Sequence, residues 1–462
     1  MRIVVLVVAV AACVATACSS SAPVAAPSGG PGGSSAAAPV RVVATGLEDP
    51  YEIVWGPDGF IWATEKSGKR VTRIDPKTGE KKVALSLDDA VHSPQAQDGV
   101  LGLALDPGLL KATGNDYVYL SYTYKTQDGN RTKIARYTYD KDRQALQDPA
   151  DVLTGLSSSI DHQSGKLRFG PDGKLYYTIG DQGANQFTLY CNRIEAQTLP
   201  TAAQVRAHDW SAYRGKVLRM NLDGSIPPDN PMFNGVRSHI YAYGFRNAQG
   251  LAFAPSGLLY SDEQGPKSDD ELNLIEAGKN YGWPYVAGYQ DDKGYVYGEW
   301  AAAKDCASNT YDDYDFPPDV AQHKESDWKG SDFAPPLATF YTVAADYDFR
   351  TSEHCPDPRA QFQCWPTLAL SSLEVHPSGT LFMTSLKEGA VYAVPLTGGG
   401  HTAGKPVKLA DTTNRYRDTA FDPTGKTVYV ATDNSGLTRD PTGTPTDTLE
   451  NPGAILAFTY DK

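Results

Sequence analysis

Gly56-Pro57-Asp58-Gly59, followed at once by Phe60-Ile61-Trp62, is one of six versions of the same phrase in this chain. Gly170-Pro171-Asp172-Gly173 precedes Leu175-Tyr176-Tyr177, and Ala254-Pro255-Ser256-Gly257 precedes Leu258-Leu259-Tyr260. His376-Pro377-Ser378-Gly379 precedes Leu381-Phe382-Met383, and Asp422-Pro423-Thr424-Gly425 precedes Val428-Tyr429-Val430. A degenerate version, Asp106-Pro107-Gly108, stands before Tyr117-Val118-Tyr119. Proline presets the first dihedral of a tight turn and glycine accepts positive φ, so each phrase reads as a turn feeding a buried strand. One such unit cannot bury its own faces, so repeated units must pack on one another, and radial packing gives a propeller. The prediction is an all-β fold, a six-bladed β-propeller. The phrases are unevenly spaced, which places long loops between strands, where propellers carry their sites.

Residues 1–17 are expected to be an export signal. Arg2 precedes an apolar run from Ile3 to Ala12, too short for a spanning helix, and the small residues Ala15-Thr16-Ala17 end at Cys18. A cysteine in that place resembles a bacterial lipoprotein processing site, although Ala15 stands where that pattern wants Leu or Val. Lipidation at Cys18 would hold the protein on the outer face of the cell membrane; plain cleavage would leave it secreted or periplasmic. Residues 18–40 are mostly Ser, Ala, Pro and Gly without charge. They bury too little to offset ordering entropy and read as a flexible tether. Residues 41–462 show no second break in composition and read as one domain.

The formal net charge is −13, from 55 acidic and 42 basic residues, which argues against a nucleic-acid partner. Besides Cys13 and Cys18 the chain has Cys191, Cys306, Cys355 and Cys364, an even number that in an exported protein favours two disulfides. Three pairings are open; Cys355 and Cys364 would staple one short loop, leaving Cys191 with Cys306. A metal site is the alternative, but no CxxC or His-bearing spacing supports it.

Several loops beside the repeats are more polar than a scaffold needs: Asp161-His162-Gln163-Ser164-Gly165, Ile179-Gly180-Asp181-Gln182-Gly183, Arg246-Asn247 and Glu263-Gln264-Gly265-Pro266. Asn280-Tyr281-Gly282-Trp283-Pro284, Asn414-Arg415-Tyr416-Arg417-Asp418 and Leu449-Glu450-Asn451-Pro452-Gly453 complete the set. Taken singly, each is a turn with ordinary hydrogen-bonding demands. In this order, from about Gly46 to Lys462, they closely resemble the soluble, calcium- and pyrroloquinoline-quinone (PQQ)-dependent glucose dehydrogenases, a family of six-bladed propeller quinoproteins.

That resemblance implies oxidation of an aldose at its anomeric carbon, with PQQ as hydride acceptor and an external electron acceptor of unknown identity. His162 is the implied base, a role suited to imidazole near neutral pH, and Asp181 is expected to orient it. Asp161, Gln97, Gln186 and Arg246 are implied at the sugar. Arg246, Asn247, Thr367, Lys387, Arg415 and Arg417 are implied at PQQ, whose three carboxylates call for cations. Arg415 and Arg417, two apart on an extended segment, are expected to point the same way. Calcium at the quinone is implied at the main-chain carbonyls of Gly265 and Pro266, oxygen ligands that suit Ca2+. A structural calcium pair is implied at Asp270, Glu271, Tyr281, Ala287, Tyr289, Asp291 and Glu325. The family also often forms homodimers.

The sequence departs from the family pattern in places. Phe362 replaces a Tyr of the cleft, Ala184 an Arg and Phe245 a His, while Cys191 and Cys306 have no counterparts. Two rival readings remain: a calcium-dependent propeller lactonase, and a non-catalytic surface-anchored propeller that binds sugar or protein. A neutral lactone needs no cluster of Arg246, Lys387, Arg415 and Arg417, and decay to a binding module would not require an intact Asp161-His162 pair.

Overall fold

The computed structural model describes residues 40–350 and 361–461. The expected signal at residues 1–17, Cys18, the tether up to residue 39 and Cys355 lie outside the described residues, as does the side chain of Phe362.

Six antiparallel sheets follow one another along the chain, five with four strands and the fifth with five, each opened by two strands joined through one of the six phrases. Blade 1 is Pro50–Trp55, Ile61–Glu65, Arg70–Ile74 and Lys81–Ser86. Blade 2 spans Val100–Leu105 to Ala145–Ser157, and blade 3 spans Ser164–Phe169 to Ile240–Tyr243. Blade 4 spans Ala252–Phe253 to Ala338–Phe340, and blade 5 opens with Leu370–Val375 and Thr380–Ser385. Blade 6 is Tyr416–Phe421, Thr427–Thr432 and Ile455–Thr459, completed by the N-terminal strand Arg41–Ala44. Pairing Arg41–Ala44 with Ile455–Thr459 closes the ring, with Arg41–Ala44 as the outer strand of blade 6.

The turns form as their residues dictate. In five phrases the glycine has φ between 71° and 89°. Its N–H returns to the residue three earlier, as in Gly59 N to Gly56 O at 3.0 Å and Gly379 N to His376 O at 2.8 Å. The degenerate copy differs by one place. Leu109 N bonds Asp106 O at 2.9 Å, and the positive φ falls on Leu110 at 60°.

The core lies between blades rather than at the centre. Trp62 and Val71 meet Leu103 and Val118 between blades 1 and 2, and Ile53 and Ile61 meet Tyr429 and Ile455 where blade 6 closes on blade 1. The central axis is instead polar. Lys166 Nζ lies 3.1 Å from Glu52 and 2.7 Å from Asp418, while Arg168 bridges Glu52 and Glu374. These residues come from the first strands of blades 1, 3, 5 and 6, so the network ties opposite sides of the ring.

Between the third and fourth strands of blade 4, a long insertion carries its own small core of Trp300, Ala303 and Val320. It clasps the loop after Leu175–Ile179 of blade 3. Asn185 Nδ2 donates to Gly298 O at 2.9 Å, Tyr190 Oη donates to Asn309 O at 2.8 Å, and Cys191 is disulfide-bonded to Cys306. That pairing matches the one left after the expected Cys355–Cys364 staple; Cys364 is disulfide-bonded too. The 115-residue separation makes the Cys191–Cys306 link a long closure. Replacing both cysteines by serine should lower stability by about 2–4 kcal/mol in denaturant titration. An unchanged midpoint would mean that the insertion is held without it.

Candidate active site

First strands run towards the face that carries the turns and second strands run back. Loops before a first strand and after a second strand therefore meet on the opposite face. Most of the polar loops of the sequence fall in these two classes; residues 280–284 instead follow the third strand of blade 4, and residues 449–453 precede the third strand of blade 6. Residues 158–163 and 244–251 precede first strands, whereas residues 180–187, 264–266 and 386–388 follow second strands. Several non-glycine residues there have positive φ: His162 (44°), Ser164 (53°), Gln182 (67°), Asn185 (65°) and Phe187 (45°). Such backbone is costly and persists where surrounding contacts hold it.

His162, 5% exposed, is clamped by one nitrogen. Its Nδ1 lies 2.7 Å from Asp181 Oδ1, and the other Asp181 oxygen accepts Trp283 Nε1 at 2.8 Å. Gly183 N also donates to Asp181 Oδ1, at 2.9 Å. A carboxylate accepts only, so Nδ1 carries the proton and Nε2 is left basic. Nε2 lies 3.2 Å from Gln186 Nε2. Asp161 accepts from Gln97 Nε2 and Gln186 Nε2, both at 2.8 Å, and from the His162 N–H at 2.9 Å. Burial works against its charge, yet His162 and Arg246 hold its carboxyl below the usual range. Arg246 reaches Gln186 Oε1 and Gln264 O, both at 3.1 Å. Its backbone N–H and that of Asn247 both donate to the buried Glu263 carboxylate. The structure thus brings Gln97, Asp161, His162, Asp181, Gln186 and Arg246 together.

Arg415 and Arg417 do point the same way, and both reach Asp433. Arg417 pairs with it through Nε at 2.8 Å and a terminal nitrogen at 2.7 Å, and Arg415 Nε lies 3.4 Å away. Opposing the effect of burial, the two guanidiniums pull Asp433 from 3.8 down to about 2. Its folded pKa is below its unfolded one. The pairing therefore contributes fully above about pH 4 and is lost as pH falls from 4 towards 2. Asp433→Asn should cost about 2 kcal/mol at pH 7 and progressively less below pH 4, read from urea unfolding at several pH values. A pH-independent cost would mean packing, not charge, is what the residue supplies.

Lys387 is different. Its Nζ donates to Trp365 O at 2.9 Å and Thr367 Oγ1 at 2.5 Å, and no carboxylate lies within ion-pair distance of it among the described residues. Burial holds its ammonium well below the usual lysine range, and Arg439 adds to the effect.

The residues of the implied calcium sites sit around the insertion. Asp270 accepts from Gly265 N at 2.8 Å and Ala369 N at 2.9 Å, tying the Gly265-Pro266 loop to the segment that carries Thr367. Glu271 accepts from Gly288 N at 2.6 Å. Glu325 accepts from Ala287 N at 3.0 Å, Asp291 N at 3.2 Å and Asp292 N at 2.9 Å. Tyr281 Oη donates to Leu274 O at 2.5 Å, and Tyr289 Oη lies 3.5 Å from Leu337 O. Burial raises Asp270 to about 6, Glu271 to about 7 and Glu325 to about 8. Among the described residues the one place where three carboxylates gather is elsewhere, at Glu52, Glu374 and Asp418 on the axis, where Lys166 and Arg168 already supply counter-charge.

Sequence reasoning assigned no role to Glu263, Trp283 or Asp433. Glu263 and Trp283 stand inside the quoted loops. Asp433 had a positional signal, since it directly follows the second strand of blade 6 as Lys387 closely follows that of blade 5.

A six-bladed ring with a histidine–carboxylate dyad beside desolvated cations on one mouth has the build of a propeller enzyme. The chain belongs to the glucose/sorbosone dehydrogenase family, whose model matches residues 47–334. It is 44% identical over 444 residues to quinoprotein glucose dehydrogenase B of Acinetobacter calcoaceticus, covering 91% of this chain and 90% of that protein. An aldose sugar dehydrogenase of Escherichia coli is 28% identical over 256 residues, 54% of this chain and 62% of that protein. Among solved structures, the PQQ-bound aldose sugar dehydrogenase of Streptomyces coelicolor is 26% identical with a TM-score of 0.61, covering 92% of this chain and 99% of that one.

Proposed function

We propose that this protein is an exported PQQ-dependent aldose dehydrogenase that oxidises the anomeric carbon of a glucose-type sugar to a lactone. The observation that carries the reading is His162, its Nδ1 clamped by Asp181 and its Nε2 left basic, on the face that also carries Arg246, Lys387, Arg415 and Arg417, more positive charge than Asp433 alone offsets. The residues fit a tricarboxylated cofactor. Among the described residues Lys387 is buried with no carboxylate within ion-pair distance, Arg246 Nε is buried without a hydrogen-bond partner, and Arg415 and Arg417 share the single carboxylate of Asp433. Asp270, Glu271 and Glu325 are buried carboxyls whose pKa values burial raises, and such oxygen donors suit a hard divalent ion.

When bound, PQQ supplies the hydride acceptor and Ca2+ polarises its quinone oxygens. The chain's own part is to hold the sugar and take a proton. Gln97, Asp161, Gln186 and Arg246 form one connected array around the anomeric hydroxyl's destination, and His162 Nε2 takes that proton. Asp181 steadies the imidazolium that results. Asn247, Thr367, Lys387, Arg415 and Arg417 would hold the cofactor, with calcium at the Gly265 and Pro266 carbonyls.

The test is reconstitution. Apoprotein given PQQ and Ca2+ should bind the quinone, seen by its absorbance, and then reduce a dye when glucose is added. Lys387→Met should raise the half-saturating quinone concentration at least about tenfold, since a charged contact is lost. Lactone hydrolysis with no quinone uptake would favour the lactonase reading. Export and lipidation at Cys18 rest on the first residues alone; mass spectrometry of the native N-terminus would decide them.

A further inference from the structure

The site face gathers the residues that follow second strands, and one of these has no role so far. Lys66 directly follows Ile61–Glu65 of blade 1, the place that Asp433 takes in blade 6 and Lys387 nearly takes in blade 5. Its backbone is fixed on both sides, its N–H donating to Asp49 O at 2.9 Å and its carbonyl accepting from Val100 N at 3.3 Å. Gly99 backs it closely: a Cβ there would lie 2.7 Å from Lys66 Cγ and 2.6 Å from its carbonyl oxygen. The ammonium reaches Ala96 O at 3.0 Å, next to Gln97, which holds Asp161. Among the described residues no carboxylate lies within ion-pair distance of it.

Its neighbour Glu65 is already taken by Arg70 and Thr72, so the local sequence supplies no counter-ion. Burial holds the Lys66 ammonium below the usual range. Asp433 is its strongest compensating charge, and Arg417 and Arg415 oppose it. Lys66 thus stands between the sugar array and the Arg415–Arg417–Asp433 group as a second desolvated ammonium short of an anion, the condition Lys387 shows across the ring. A partly buried cation of this kind is stable when a charged partner completes it.

We propose that Lys66 is a further cofactor-holding residue, its ammonium pairing with a carboxylate of the quinone from the blade 1 side of the cleft. This rests on the dehydrogenase reading above. In full-length apoprotein with Ca2+, Lys66→Met is expected to raise the half-saturating concentration of PQQ about tenfold or more. Lys66→Gln, which keeps a donor for Ala96 O, should lose as much, and Lys66→Arg should restore most of the affinity. The trimethyl ester of PQQ, which lacks the negative charges, should bind wild type and Lys66→Met alike. Two results overturn the proposal: the methionine variant titrating PQQ like wild type, or losing acid and ester equally, which would make Lys66 a prop for the Ala96-Gln97 segment. If wild type takes up no quinone at all, the dehydrogenase reading fails and this proposal with it. Uptake by wild type with an indifferent Lys66→Met removes this proposal alone.

Discussion

His162→Gln should lose at least about two decades of sugar-dependent turnover, the usual share of a positioned base, while still binding the quinone. Nδ1 faces Asp181 at 2.7 Å, which leaves Nε2, with Gln186 Nε2 at 3.2 Å and Asp161 Oδ1 at 3.8 Å, as the ring atom that takes the proton. Glutamine can replace the hydrogen bond to Asp181 but cannot take a proton at pH 7. Near wild-type turnover would remove His162 as the base and leave the sugar array without a proton acceptor. Quinone titration of the same variant separates loss of chemistry from loss of the cofactor site.

Asp181→Asn is expected to lower kcat by about a hundredfold to ten-thousandfold with little change in the sugar KM, as for the orienting carboxylate of other base dyads. An amide at this place can donate to Nδ1, which moves the ring proton to Nε2 and abolishes the base. It also withdraws the charge that steadies the imidazolium. Asp181 is held by Trp283 and by Gly183, so its own position depends little on the histidine. Asp181→Glu should recover part of kcat if orientation of the ring is what matters. Equal rises in KM and losses of kcat in both variants would instead indicate a collapsed loop.

The blades were legible because the turn phrase is local: four consecutive residues set the hydrogen bond and the positive φ that start each hairpin. Even the slip at Gly108 shows in the sequence as a missing fourth residue, although not that Leu110 takes the left-handed conformation. The sugar array was legible through the family's motifs, because Asp161-His162 and Asp181-Gln182-Gly183 are contiguous words. Contacts that join distant blades were not. Asp181 and Trp283 lie 102 residues apart, and Arg168 and Glu374 lie 206 apart, with no periodic signal to link them. The same limit hid Asp433, whose importance lies in neutralising part of the charge of Arg415 and Arg417, and Lys66, which looks like any solvated lysine until the ring closes around it. Cys191 and Cys306 were legible only by elimination among four cysteines, and their purpose, clasping the Gln186 loop to the insertion, needed the fold.

One experiment joins the base, the cofactor and the substrate. Apoprotein reconstituted with one equivalent of PQQ in Ca2+ is mixed anaerobically with glucose, without dye, and the quinone spectrum is followed through a single turnover. The expected result is conversion of the oxidised spectrum to the reduced one with one lactone formed per quinone, slower for glucose deuterated at the anomeric carbon and at least about a hundredfold slower in His162→Gln. An oxidised spectrum that persists in fully loaded protein, with no lactone formed from glucose, would show that this cleft does not oxidise the sugar.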